Sequence, residues 1–300
     1  MKKIPLWLVL LLPMTALLSG CRTVRMQGPE VKVPPTKPRL MQAKHSLKQK
    51  TSVTKMPQVL GGLVQSDSWV IYKDKEQEEF KGHVSYDNGI YTFRADYALS
   101  ERAKNRFTAR GNVYLKQAQP QSPVYEAYAH EARYNYKTQK GVLQAGGKDG
   151  VVRLIYTAPK EPSVTATARR VSFDLASEVF ILQGNVRLER PTPQGVQTLT
   201  AEKATLKQRE DWLMLEGGAT ASDSLRTLEA ETLVYDGKSN ASYAYGARPL
   251  LHGKSEQGTF AIIADKVQAD NEGRLVTLDG KVQGWVVSPQ LNESDVNKKF

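Results

Sequence analysis

One cysteine, Cys21, stands in 300 residues, so no disulfide can form within the chain. Histidine is nearly as scarce: His45, His83, His130 and His252 are scattered, without the short spacings that metal ligands need. No serine sits in a nucleophile elbow with an ordered histidine and acid, and no glycine-rich loop opens a helix to cradle phosphate. These gaps leave no candidate catalytic residue, no metal set and no cofactor site, and a non-enzymatic role is expected. Long apolar runs are missing apart from Leu6–Leu18, which is short for a membrane span and interrupted by Pro13. Helical periodicity is also absent from the body of the chain.

Acidic residues fall short of basic ones, 31 against 42, for a formal charge of +11. The surplus is local. Between Arg22 and Gln58 only Glu30 opposes Arg22, Arg25, Lys32, Lys37, Arg39, Lys44, Lys48, Lys50 and Lys55. That stretch also holds Pro29, Pro34, Pro35, Pro38 and Pro57, the makeup of an extended linker without a core. The remainder of the chain is close to neutral, so the charge describes a tether at residues 21–60 and not the body. Nucleic-acid binding is not expected, because no groove pattern of basic and aromatic residues accompanies the charge.

Ahead of the tether, Met1-Lys2-Lys3, the apolar Leu6–Leu18 and Leu18-Ser19-Gly20-Cys21 have the layout of a secretory signal over residues 1–20. Leu-Ser-Gly-Cys resembles the lipobox of bacterial lipoproteins, which implies a lipid on Cys21 and a periplasmic protein held at a membrane, inner or outer. The alternative is a plain signal with an incidental cysteine. A basic tether next to a lipid suits anionic headgroups, and equally suits a soluble spacer.

The body, residues 61–289, is built from a repeat, and a polar tail follows at 290–300. Ala95 is followed sixteen residues later by Gly111, and the same interval separates Ala168 from Gly184, Ala201 from Gly217, Ala230 from Gly246 and Ala264 from Gly280. Ser66–Gly82 is a weaker copy and Ala129–Gly146 a copy shifted by one residue. Asp96, Arg169, Glu202, Glu231 and Asp265 follow the alanines. Around each glycine the apolar residues alternate with period two, as in Phe107, Ala109, Val113 and Leu115 or Phe180, Leu182, Val186 and Leu188, so the elements are strands. A glycine on the inward face of each strand would let every rung crease at one place and form a trough. After each alanine the apolar positions fall three and five residues on (Val171 and Phe173, Ala204 and Leu206), an odd step that demands a corner. Two strands per repeat give an all-β body of about fourteen strands.

The unit Ala-Asp/Glu…Gly-Asn-Val resembles the OstA-like domain of the lipopolysaccharide-transport (Lpt) system, whose members include LptA and LptC. The resemblance is clearest at Ala95–Leu115, Ala168–Leu188, Ala201–Ala221 and Ala264–Gly284. It implies an antiparallel β-jellyroll folded into a V-shaped trough that carries lipopolysaccharide acyl chains across the periplasm. The inward set expected to line such a groove is Phe107, Val113, Leu115, Phe180, Leu182, Val186, Leu188, Leu213, Leu215, Val276, Leu278 and Val282. Each residue alone is better accounted for as ordinary sheet core, since inward strand residues mostly pack; the groove belongs to the set. The open edge strands of a trough offer unpaired backbone groups to another OstA-like domain. A different class of role is a structural or interaction lipoprotein of the envelope that presents its strands to partners and carries no lipid.

Overall fold

The computed structural model describes residues 62–287 except 120, 160, 193–194, 256–257 and 271–274. The signal, Cys21, the tether and the polar tail lie outside the described residues. The described chain holds no helix long and apolar enough to cross a membrane.

Alternation of period two becomes strand after strand, as the apolar spacing requires. There are twenty: β1 (Leu63–Gln65), β2 (Ser68–Tyr72), β3 (Gln77–Asp87), β4 (Tyr91–Glu101), β5 (Arg106–Gln117), β6 (Val124–Asn135), β7 (Lys140–Gln144), β8 (Val152–Thr157), β9 (Val164–Ala168) and β10 (Arg170–Asp174) form the first ten. The rest are β11 (Val179–Thr192), β12 (Gly195–Lys207), β13 (Trp212–Ser222), β14 (Arg226–Asp236), β15 (Ala241–Tyr245), β16 (Leu250–Ser255), β17 (Gly258–Ile263), β18 (Lys266–Asp270), β19 (Val276–Asp279) and β20 (Gln283–Val287). All pairings among them are antiparallel and join one sheet.

Twenty strands replace the expected fourteen for a simple reason. The described chain makes fourteen passes, and each pass crosses a crease. Eight passes hold their pairing through it (β3, β4, β5, β6, β11, β12, β13, β14), whereas six break into two strands there (β1/β2, β7/β8, β9/β10, β15/β16, β17/β18, β19/β20). The crease divides the sheet into two walls. One wall runs in the order β2-β3-β4-β5-β6-β7-β10-β11-β12-β13-β14-β15-β18-β19, paired neighbour to neighbour. The other runs β1-β3-β4-β5-β6-β8-β9-β11-β12-β13-β14-β16-β17-β20. The fold is therefore all-β and antiparallel, a creased sheet of the jellyroll kind expected.

Alternate passes take the corner differently. On the glycine-bearing passes the inner residues flanking the crease are four apart, as in Ala109 and Val113 or Leu182 and Val186; on the alanine-bearing ones they are three apart, as in Ala95 and Ala98 or Ala201 and Ala204. The ladder absorbs the difference as a bulge of one residue, between Arg110 and Val113 on β5 and between Gln183 and Val186 on β11. Gly111 and Asn112 have φ of 71° and 47°, and Gly184 and Asn185 have 79° and 49°. Two left-handed residues in succession explain the Gly-Asn pair, since glycine and asparagine tolerate that region best.

The glycines are not inward, contrary to the sequence expectation. A Cβ on Gly184 would come 3.1 Å from the side chain of Arg169, and one on Gly217 would come 2.9 Å from Cβ of Glu202. Asp67 lies against Gly82, Asp96 against Gly111, His130 against Gly146, Glu231 against Gly246 and Asp265 against Gly280 in the same way. Asp96, Arg169 and Glu202 are exposed, so each glycine makes room on the outer side of the crease for the residue after the alanine. The shifted copy, His130 with Gly146, makes the same contact with one more residue between them.

Candidate functional site

The inner faces of the two walls share one apolar core. Cross-strand register makes that face continuous. On the first wall Phe107 pairs with Tyr134, Phe173 with Phe180, Phe180 with Leu206 and Leu206 with Leu213. Closer to the crease the line runs Leu143, Val171, Leu182, Ala204, Leu215, Leu233. On the second wall it runs Phe93, Leu115, Ala127, Leu154, Ala166, Leu188, Leu199. The walls meet: the rings of Phe93 and Phe107, on opposite sides of the crease, contact edge to face with centroids 5.4 Å apart. Through the central passes the trough is closed in this structure.

Of the expected groove set, Phe107, Val113, Phe180, Leu182, Val186, Leu188, Leu213 and Leu215 are buried, and Leu115 and Leu278 pack partly buried against the core. Val276 and Val282 differ, being 36% and 48% exposed. They lie on the last described pass, β19/β20, which among the described strands has a neighbour on one side only, so positions roofed elsewhere are open here. The set missed Phe93, Val171, Phe173 and Leu206 on the alanine-bearing passes and Leu154 on the pass of Gly146. The odd step after the alanine was the signal that could have found Val171, Phe173 and Leu206.

Tyr134 is 3% exposed inside the trough, stacked with Phe173 at 6.2 Å. Tyr243 and Tyr245, which interrupt the apolar alternation, flank the buried Ala244; Tyr245 is exposed and Lys266 sits over the Tyr243 ring. On the outer face, Arg94 covers the Tyr114 ring and Arg153 covers Tyr128, while Tyr114 donates to Glu126 at 2.7 Å.

Charged groups keep to the outside and the strand ends. Glu101, 3% exposed, is ion-paired with Lys104 and Arg106; these cations hold its carboxyl below the usual range. His83, exposed, bonds Asp67 at 2.8 Å, and that carboxylate raises its pKa. His252 faces Glu229. No cluster of three or more potential metal ligands occurs among the described residues.

Apolar surface is exposed at the two ends of the sheet. The first pass presents Leu63, Trp69, Val70 and Ile71, and the last presents Trp285, Val286 and Val287. Among the described strands, β2 and β20 are each paired on one side only.

No family model and no curated protein matches this sequence. Among solved structures, the chain is similar to LptH of Pseudomonas aeruginosa, the LptA homologous periplasmic component of the lipopolysaccharide transport device. That likeness spans 38% of this chain and 76% of LptH at 19% identity, with a TM-score of 0.32.

Proposed function

We propose that this protein is a non-enzymatic carrier in the lipopolysaccharide export pathway, anchored in the periplasm through Cys21, that holds acyl chains between the two walls of its creased sheet. The observation that carries this reading is the continuity of the apolar inner face from pass to pass. Each methylene exposed to water costs ~0.8 kcal/mol, so a lipid with several acyl chains needs unbroken cover to cross an aqueous gap. A run of similar passes provides that cover without one deep trap. The walls part along the crease to admit chains, and the ring contact of Phe93 with Phe107 is the closed state of that gate. The exposed apolar end passes dock other creased-sheet domains by continuing the ladder edge to edge, extending the trough from one protein to the next.

In-cell photo-crosslinking from Phe180 and Val186 is expected to capture lipopolysaccharide, while probes at the outward Asn185 and Arg187 do not. Equal capture from both faces, or none from either, would overturn the carrier reading. The tight burial of the central inner face favours one competing role, an envelope interaction protein whose trough is simply its core. In that case the end passes crosslink partners while the inner positions crosslink no lipid.

A further inference from the structure

The two halves of the inner face differ in chemistry. Passes β11 to β14 line it mainly with aliphatic side chains, Leu182, Leu199, Leu206, Leu213, Leu215 and Leu233, with Phe180 as their one buried ring. Pass β6 and its neighbours line it with tyrosine. Tyr125 and Tyr134 sit on the two arms of β6, 5% and 3% exposed, and both hydroxyls are buried without a hydrogen-bond partner. Tyr125 lies beside the Tyr156 ring at 5.4 Å, and Tyr134 lies between Tyr136 at 5.6 Å and Phe173 at 6.2 Å. A buried hydroxyl with no partner is costly, and phenylalanine would fill the same space without that cost. Hydrocarbon alone gives these groups nothing to bond.

We infer that Tyr125 and Tyr134 form a hydrogen-bonding subsite for the carbonyl oxygens of acyl linkages, ester or amide, at the point where fatty chains join their headgroup. The chains then extend along the leucine-lined passes. From β6 to β12 on the first wall is four strand spacings, about 19 Å, the scale of an extended fatty acyl chain. This inference rests on the carrier reading above and sharpens it: the trough recognises how its chains are attached as well as their greasiness. Each phenol donates its O–H to a carbonyl lone pair, and the neighbouring aromatic rings exclude competing water.

The test uses the full-length protein and diphenylhexatriene, whose fluorescence rises in apolar surroundings. The probe is displaced with methyl laurate, with N-methyl lauramide and with a carbonyl-free ether of equal length. The expected result is displacement by the ester or the amide at roughly fivefold lower concentration than by the ether. The more effective of the two identifies the linkage. The double variant Tyr125→Phe/Tyr134→Phe should lose that preference, with an unloaded melting temperature no lower than the parent's. Equal displacement by all three compounds overturns the subsite but leaves the carrier reading intact. So does a preference that survives in the double variant, or a variant that melts earlier, which would show the hydroxyls bonded within the protein. No uptake of the probe removes the carrier reading and this inference together.

Discussion

Asp96 caps the crease at Gly111: its Cβ stands 2.9 Å from where a Cβ on Gly111 would be, and its carboxylate accepts a hydrogen bond from Asn112 Nδ2 at 2.9 Å. One side chain thereby covers the turn and ties down the second of two left-handed residues.

Gly111→Ala is therefore expected to destabilise the fold. It forces an alanine into φ of 71° and into the body of Asp96. The cost should be about 1–3 kcal/mol, read as a lowered urea midpoint. Adding Asp96→Gly should recover the steric part and leave the backbone part. A variant as stable as the parent would show that the crease can be made without a glycine.

Phe180 is 1% exposed and touches Phe173. Truncation to alanine removes ring contacts on both sides of β11, so Phe180→Ala should cost about 3–5 kcal/mol. A loss well under 1 kcal/mol would mean that the walls close over a loosely filled space.

At the far end, Val286 is 64% exposed on the terminal strand. Val286→Lys is expected to leave the melting temperature within about 2 °C of the parent, because exposed substitutions usually change stability little. It should abolish crosslinking between β20 and another creased-sheet domain. Trp285, 55% exposed on the same strand, gives a second readout, since its fluorescence should shift to the blue when docking covers it. Docking that is indifferent to Val286→Lys would place the contact elsewhere.

Glu101 supplies a pH dependence with a definite sign. Lys104 foremost, then Arg106, lowers its folded pKa beneath the ordinary glutamate value. Its contribution is thus complete above that ordinary value and declines as acid carries the pH down through the folded one. Urea midpoints measured from pH 7 to pH 3 should fall less steeply for Glu101→Gln than for the parent. Parallel acid limbs in the two proteins would mean that the ion pairs contribute nothing to the slope.

The sequence by itself determined the kind of element. Period-two alternation and the recurring Ala…Gly interval gave strands with a corner in each, because side-chain period and backbone strain are local properties. They are written wherever Phe180, Leu182, Val186 and Leu188 alternate about Gly184. Twenty strands in place of fourteen came instead from six passes parting at the crease. The tertiary structure alone decided which side the glycines face. The outward turn of Gly111 depends on Asp96 of the neighbouring pass, and no single strand contains both partners of that contact. It also decided the fate of the last described pass, where Val276 and Val282 carry the right pattern but have, among the described strands, none beyond them to complete their burial. The same holds for Tyr134: tyrosine is at home on either face of a sheet, and only the closing of two walls over β6 places its hydroxyl inside.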